Sequence, residues 1–227
     1  MTFNQIKMAL YATFLTNIYG YKLKKSTSAL HKKKQRILYA TTLLKKLNIK
    51  INLINPQKLP QTGKYLLVSN HRSIIDPTII EMALKDTDIF GHWVSKKELY
   101  NSFFFGLFVR NGGSILLDRD SSNMNMFFSD IKNCVKEGNS IFIFPEGTRN
   151  TSDKKLSEFK EGSRIIALKN RLPILPIYIR TNASHVLNQA IQSNKLEQNI
   201  EVEVGEIIEY KDRSMSLGEA YKKQFNI

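Results

Sequence analysis

The stretch Tyr65-Leu66-Leu67-Val68-Ser69-Asn70-His71-Arg72-Ser73 joins an apolar run directly to a polar cluster. A short run that is apolar throughout is typical of a strand buried on both faces of a parallel sheet. Further β-rich runs follow at residues 114–117, 140–144, 174–179 and 200–208, and helical patterns lie between the runs at 78–84, 124–136 and 162–169. This alternation predicts an α/β fold with a mixed, mostly parallel sheet flanked by helices.

Length and composition favour one folded domain. The chain has 227 residues, of which 42% are apolar, and this is enough for one substantial core. A single cysteine, Cys134, leaves no internal disulfide or cysteine-based metal cluster within this sequence, and it fits a reducing compartment.

The net charge of +14 lies entirely in the N-terminal third of the sequence. Residues 1–75 contain 14 lysines and arginines and no acidic residue, whereas residues 76–227 contain 20 basic and 20 acidic residues. A basic segment without acids predicts an anionic partner, either a nucleic acid or a phospholipid surface. We find no zinc-finger spacing and no aromatic strand with interleaved basic residues, so we predict no nucleic-acid partner.

The N-terminal segment has the periodicity of two helices. Apolar residues recur at helical spacing at Phe3, Ile6, Leu10, Phe14 and Ile18, and again at Ile37, Ala40, Leu44 and Leu47. We expect Gly20 to end the first helix and a linker to occupy residues 52–63. Neither helix offers the ~20 nearly uninterrupted apolar residues that a membrane span requires.

Two interpretations of this segment stay open. In the first, residues 1–50 form a basic amphipathic helix pair that lies on an anionic membrane surface, and residues 51–227 form the α/β domain. In the second, the apolar faces of the helices pack on the domain core and the lysines are solvated.

Polar clusters follow three of the predicted strands, at residues 69–73, 118–120 and 145–149. Loops at the carboxyl ends of parallel strands meet at one edge of the sheet, so we expect these clusters to converge. His71 and Asp76 have four residues between them, and Pro77 makes Asp76 a candidate helix N-cap that folds back onto the imidazole. Such a pair can act as a general base, although a capping aspartate beside a surface histidine would have the same spacing.

The remaining polar residues indicate a phosphate-bearing substrate and no protein nucleophile. No Gly-x-Ser-x-Gly elbow occurs, and Cys134 lies in a predicted helix, so no covalent acyl-enzyme is expected. The other histidines are scattered without metal-ligand spacing, and we predict no metal site. Arg119 and Arg149 could clamp a phosphate or could form surface salt bridges with nearby acids.

Four sequence blocks occur in a recognisable order. They are Asn70-His71-Arg72-Ser73-Ile74-Ile75-Asp76, Gly113-Ser114-Ile115-Leu116-Leu117-Asp118-Arg119, Phe144-Pro145-Glu146-Gly147-Thr148-Arg149 and Leu172-Pro173-Ile174-Leu175-Pro176-Ile177. In order and spacing they resemble the blocks of the glycerolipid acyltransferases, above all the bacterial 1-acylglycerol-3-phosphate acyltransferases, over roughly residues 60–180. The family's proline before the second block is absent, since Phe103-Phe104-Phe105-Gly106 stands there.

The resemblance implies a reaction and a role for each site residue. His71, oriented by Asp76 in the His-x4-Asp motif, would take the proton of the sn-2 hydroxyl of 1-acylglycerol 3-phosphate. That oxygen would attack the thioester of acyl-CoA or acyl-carrier protein and give phosphatidic acid, without a metal or other cofactor. The resemblance assigns the acceptor's phosphate to Arg119, Arg149 and Lys96, and the glycerol site to Glu146, Gly147 and Thr148.

The same resemblance implies an enzyme of phospholipid biosynthesis at the cytoplasmic face of the cell membrane, held there peripherally or monotopically. Two alternatives stay open. One is the same chemistry on glycerol 3-phosphate or another lysophospholipid, and the other is a non-catalytic basic membrane-binding module.

Overall fold

The computed structural model describes residues 2–118, 124–193 and 195–227. Within these residues the strands are β1 (Ile49–Ile54), β2 (Leu66–Ser69), β3 (Gly91–Lys96), β4 (Ile115–Leu117), β5 (Ser140–Ile143), β6 (Ile174–Ile179) and β7 (Gln198–Val204). The α-helices are α1 (Phe3–Lys24), α2 (Ala29–Leu47), α3 (Asp76–Ala83), α4 (Lys97–Tyr100), α5 (Gly106–Asn111), α6 (Asn125–Lys136), α7 (Gly162–Asn170), α8 (Ala183–Gln192) and α9 (Leu217–Phe225), and a short 3-10 helix spans Pro56–Lys58.

The strands form one sheet in the order β1-β7-β6-β2-β5-β3-β4. Every neighbouring pair is parallel except β6 and β7, which run antiparallel. The predicted mixed, mostly parallel sheet flanked by helices is therefore confirmed. Strand β2 lies at its centre and is fully buried, as its uninterrupted apolar run predicts.

Successive residues of β2 face opposite sides of the sheet, and each side has its own core. Leu67 packs with residues of α1, α2, α3 and α8, whereas Leu66 and Val68 pack with residues of α6, α7 and α9. The N-terminal helix pair thus covers one face of the sheet, and the C-terminal helix α9 helps to cover the other.

Helix α1 continues beyond Gly20, contrary to the expected end there. Its last residue is Lys24, and Gly20 instead lets α5 approach closely, because an added Cβ would lie 2.9 Å from Leu107 Cγ. The glycine marks a helix crossing rather than a helix end.

Helix α1 has two apolar faces instead of one amphipathic stripe. Leu15, Tyr19 and Leu23 are buried, and the first two belong to the core cluster on this side of the sheet. The predicted stripe lies on the opposite side of the helix and is exposed at Phe3, Ile6, Leu10 and Phe14. Packing against the core and an outward apolar face therefore coexist in one helix. No helix among the described residues has both the length and the apolar character needed to cross a membrane.

Two cations of the basic stretch 31–36 are buried, which the charge pattern does not predict. Lys33 Nζ donates to the Leu84 carbonyl at 3.2 Å and to the Thr87 carbonyl, and Arg36 donates to the Gly91 carbonyl at 2.8 Å and pairs with Glu81. Burial lowers the pKa of Lys33 below its ordinary value. These two charges hold α2 onto the domain.

The expected linker at 52–63 is wrong in its first part, because strand β1 extends to Ile54. Each of its residues pairs with β7, from Ile49 opposite Gln198 to Ile54 opposite Glu203. The expected domain boundary between residues 50 and 51 therefore falls inside a strand of the central sheet.

Candidate active site

The loops after β2 and β5 meet at the carboxyl edge of the sheet, because these two strands are parallel neighbours. The Asn150 amide donates to the His71 carbonyl at 2.6 Å, and the His71 amide donates to Glu146 Oε1 at 2.7 Å. The predicted convergence is confirmed for these two loops. The loop after β4 starts two strands beyond β5, and Arg119 lies outside the described residues.

His71 and Asp76 form the expected pair. His71 Nδ1 lies 2.8 Å from Asp76 Oδ2, and the side chains are 17% and 1% exposed. An aspartate that accepts from Nδ1–H leaves the second ring nitrogen, Nε2, unprotonated in the neutral imidazole. Nε2 has no hydrogen-bond partner among the described residues, so it is the atom able to take a proton.

Asp76 reaches the imidazole by a different local geometry from the one expected. It is the first residue of α3 rather than its N-cap, and the N-cap, Ile75, makes no side-chain capping bond. Asp76 Oδ2 instead accepts the amides of Arg72 at 2.6 Å and Ser73 at 2.7 Å, in the turn that follows His71. Three donors on one carboxylate oxygen fix its position relative to the ring.

Glu146 is buried, and its carboxylate binds the backbone of two loops. Oε1 accepts the His71 amide, and Oε2 accepts the Ser157 amide at 2.7 Å. Burial raises the pKa of Glu146 above its ordinary value, and these amides partly offset that effect. The contacts support a positioning role for Glu146 more than the direct substrate contact that the resemblance implies.

The other expected binding residues surround this edge. Gly147 has a φ of +72° and donates its amide to the Phe144 carbonyl at 2.9 Å, which makes a tight turn. Thr148 and Arg149 follow it and are exposed, and Arg149 forms no salt bridge with any described residue. Lys96 is half-buried at the carboxyl end of β3, the strand next to β5.

Asn70 and Tyr221 also hold the turn that carries His71, a role that the sequence does not indicate. The Asn70 side chain donates to the Ile179 carbonyl at 3.0 Å and accepts the Ile179 amide at 2.8 Å. The Tyr221 hydroxyl accepts the Asn70 amide at 3.2 Å and donates to the Ile177 carbonyl at 2.7 Å. Asn70 could have drawn attention as the buried neighbour of His71, but no local signal connects it to Tyr221.

Two aromatic residues, Phe144 and Trp93, complete the surroundings of the ring. Phe144 directly follows β5, and its ring stacks on the His71 ring. Trp93 of β3 stacks in turn on Phe144. No group of three or more His, Cys, Asp or Glu side chains in the described parts of the chain is placed to hold a metal ion. The imidazole is thus held by Asp76 and Phe144, and a ring held in this way has the chemistry that a general base requires.

A family model described as acyltransferase matches residues 50–180, which include His71, Asp76 and the turn at Gly147. This chain belongs to the acyltransferase family.

The curated relatives of this chain have more specific names than the family. Several curated relatives bear the name 1-acyl-sn-glycerol-3-phosphate acyltransferase, among them proteins from Helicobacter pylori and Streptococcus pneumoniae. The protein from Helicobacter pylori is 36% identical over 119 residues, covering 52% of this chain and 49% of the relative. The protein from Streptococcus pneumoniae is 29% identical over 136 residues, covering 60% and 49%. This chain thus spans about half the length of the curated relatives it matches.

A solved structure matches nearly the whole fold. The crystal structure of the 1-acyl-sn-glycerophosphate (LPA) acyltransferase PlsC from Thermotoga maritima aligns with a TM-score of 0.71, covering 98% of this chain and 93% of that one. Sequence identity over the alignment is 20%. The likeness extends beyond the family-model match to the N-terminal helices and to β7 and α9.

Proposed function

We propose that this protein transfers a fatty acyl group from the thioester of acyl-CoA or acyl-carrier protein to the sn-2 hydroxyl of 1-acylglycerol 3-phosphate. The hydroxyl oxygen forms a bond to the thioester carbonyl carbon, the carbon–sulfur bond breaks, and the products are phosphatidic acid and the free thiol. The hydroxyl proton passes to His71 Nε2 and from there to the leaving sulfur. The step needs no protein nucleophile, metal or other cofactor.

The contact between His71 Nδ1 and Asp76 Oδ2 carries this proposal. The carboxylate fixes the tautomer and stabilises the imidazolium that forms when Nε2 takes the proton. General-base assistance of this kind contributes about 10² to 10⁴ in rate, and holding the hydroxyl next to the thioester contributes much of the rest.

Cations at the same edge of the sheet are suited to the acceptor's phosphate. Lys96 is the last residue of β3, and Arg149 lies in the loop after the neighbouring strand β5. Guanidinium groups bind phosphate oxygens through two parallel hydrogen bonds. The resemblance adds Arg119. Replacing Arg149 by alanine is expected to raise the KM for 1-acylglycerol 3-phosphate about 10-fold or more with little change in kcat, because a charge-assisted hydrogen bond contributes ~1.5–3 kcal/mol.

The test is thioester consumption by the purified chain with acyl-CoA and with acyl-carrier protein. Each donor is combined with 1-acylglycerol 3-phosphate, glycerol 3-phosphate and a lysophospholipid that carries a headgroup. We expect turnover with 1-acylglycerol 3-phosphate and its loss in His71→Ala. Turnover with another acceptor alone would reassign the substrate, and no turnover with any pair would refute the proposed activity.

We further propose that the protein binds the cytoplasmic face of the cell membrane peripherally or monotopically, through α1. The outward face of α1 presents Phe3, Ile6, Leu10 and Phe14 within a segment that has no acidic residue. Large apolar side chains with lysines around them suit the headgroup boundary of an anionic leaflet.

Flotation with vesicles rich in anionic lipid tests this orientation. Deleting residues 1–50 would remove core residues and part of β1, so point variants are the better probe. Leu10→Asp combined with Phe14→Asp is expected to abolish flotation. Met126→Asp changes an equally exposed apolar residue on α6, across the sheet, and should float like the unmodified chain. Equal flotation of all three proteins would contradict the proposed orientation.

A further inference from the structure

The imidazole of His71 is fixed by more than its carboxylate partner. The imidazole turns about its Cα–Cβ and Cβ–Cγ bonds, and a single hydrogen bond at Nδ1 restrains these rotations without fixing the plane of the ring. The direction of Nε2, and therefore the approach to a substrate hydroxyl, depends on what holds the plane of the ring. Catalysis is sensitive to such orientation.

The plane is held by Phe144. The centroids of the His71 and Phe144 rings are 4.0 Å apart, and the rings are within 9° of parallel. Phe144 lies directly after β5, the strand next to the one that precedes His71. The phenyl face therefore covers one side of the imidazole and leaves its edge free to bind Asp76.

Trp93 packs against Phe144 from β3, the strand on the other side of β5. The two ring centroids are 4.9 Å apart with an angle of 25° between the planes, and Trp93 also meets Phe142 edge to face at 5.3 Å. The Trp93 Nε1–H donates to Glu81 Oε1 at 2.8 Å, and Glu81 is itself paired with Arg36 of α2. The indole is thus fixed at its polar end by a buried ion pair.

We propose that Phe144 and Trp93 are positioning residues for His71, which set the plane of the imidazole and thereby aim Nε2 at the substrate hydroxyl. Stacked aromatic pairs contribute beyond their buried area, and a π face also attracts the cationic ring that forms once His71 takes a proton. The inference rests on the proposed acyl transfer for its catalytic consequence, but the stack itself can be observed without any activity.

Two measurements on the purified 227-residue chain test the proposal. The first is proton NMR of the imidazole C–H resonances, with the His71 signals assigned by their absence in His71→Ala among the four histidines. A ring stacked on Phe144 has these signals displaced upfield. The second is kcat and KM for thioester consumption with 1-acylglycerol 3-phosphate.

The variants separate the phenyl ring from the volume it fills. In Phe144→Leu, and in Phe144→Met prepared alongside it, we expect the His71 signals to move downfield. We also expect kcat to fall about 3- to 10-fold with KM for both substrates unchanged. Phe144→Tyr keeps a ring and should restore both values. Phe128→Leu removes a half-buried ring on α6, across the sheet, and should leave both as in the unmodified chain.

For Trp93 the pair of variants is Trp93→Leu and Trp93→Phe. Loss of the second ring in Trp93→Leu should give a smaller change in the same direction, and Trp93→Phe should retain most of the original behaviour. His71 signals that do not move in any Phe144 variant would overturn the stack. Signals that move while kcat stays constant in an active enzyme would overturn the positioning role. An unmodified chain without acyl transfer would instead refute the proposed function, while the NMR result still decides whether the stack exists.

Discussion

Helix α3 carries two buried carboxylates, and each pairs with a basic side chain from another segment. Asp76, in its first turn, binds His71, and Glu81, five residues later, binds Arg36 of α2. The Arg36 guanidinium is enclosed: it also donates to the Gly91 carbonyl and lies 4.9 Å from the centre of the Phe90 ring. The His71 ring is 17% exposed, and Nε2 has no partner within the described residues.

The difference shows that burial and pairing do not by themselves identify a catalytic group. Both carboxylates are almost inaccessible, at 1% for Asp76 and 7% for Glu81. The Arg36 guanidinium donates to Glu81 and to the Gly91 carbonyl and cannot act as a proton acceptor, so that pair holds α2 and α3 together. An imidazole can take up and release a proton, and its open nitrogen is the reason why we propose the pair of His71 and Asp76 as the catalytic one.

The largest expected effect is on activity alone. His71→Ala should lower the rate of thioester consumption by about 10² to 10⁴, because the general base is lost. Its unfolding free energy should change little, since Asp76 keeps the amides of Arg72 and Ser73. Initial rates and urea unfolding of the same preparation measure both, and full activity of the purified variant would contradict the assignment.

The other pair should show the opposite behaviour. Arg36→Met leaves Glu81 buried without its cation and should lower the unfolding free energy by about 3–5 kcal/mol. The folded fraction should lose far less kcat than His71→Ala does, because Glu81 can still accept from Trp93. The double variant Arg36→Met with Glu81→Gln removes both charges and should recover much of the stability, and its glutamine can still accept from Trp93. Urea unfolding measures all three proteins. An Arg36→Met protein as stable as the unmodified chain would show that the ion pair does not hold α2.

The hydroxyl of Tyr221 stabilises the turn that carries His71, although it contacts neither His71 nor Asp76. Tyr221→Phe leaves the buried Asn70 amide without its acceptor and should lower the unfolding free energy by about 1–3 kcal/mol. Tyr178→Phe removes the hydroxyl of a neighbouring buried tyrosine; this hydroxyl makes no hydrogen bond with any described residue, and its loss should cost less. Equal losses in the two variants would mean that the Asn70 contact contributes nothing specific.

The smallest expected effect is on the pH dependence of stability, and it concerns His92, which lies near the pair of Arg36 and Glu81. Burial lowers the pKa of His92 below 6.5, and the nearby Arg36 and Lys32 charges lower it further, although the Gly113 carbonyl opposes this. As the pH falls through about 6.5, the unfolded chain therefore takes up a proton on this ring more readily than the folded chain does, and stability falls as the pH falls.

This contribution can reach at most about 1.4 kcal/mol per pH unit. His92→Gln cannot take up that proton and keeps a donor for the Gly113 carbonyl. Its unfolding free energy, measured by urea at each pH, should fall less steeply than that of the unmodified chain. Parallel pH curves for the two proteins would contradict the assignment.

The two pairs also mark how far sequence reasoning extends. His71 and Asp76 lie within one turn of chain, so their spacing and the strand before them are enough to predict that they meet. Arg36 and Glu81 are 45 positions apart, and a lysine-rich stretch gives no sign that two of its cations turn inward. The strand order likewise brings Trp93 to Phe144, and the packing of α9 on the sheet brings Tyr221 to Asn70. Neither contact can be read from the spacing of these residues along the chain.

The strands that were missed, β1 and β3, have mixed patterns. Strand β3 contains His92, Ser95 and Lys96 among its six residues, and β1 alternates isoleucines with Lys50 and Asn52, so neither offers a continuous apolar run. The strands of the sheet centre, β2, β5 and β6, are apolar apart from one terminal serine in each of β2 and β5, and they were predicted within one residue at each end. Periodicity also cannot tell which face of α1 meets the core, because both faces are apolar.

The pairing of β1 with β7 has a consequence for biosynthesis. Ile49 lies opposite Gln198, so the strand that follows α2 meets its neighbour only after 149 further residues have been made. At ~5–20 residues per second, ribosomes need roughly 7–30 s for that length. Helix α1, with its exposed apolar face, is synthesised before this interval begins, so the membrane contact proposed for that face can form before the sheet is complete.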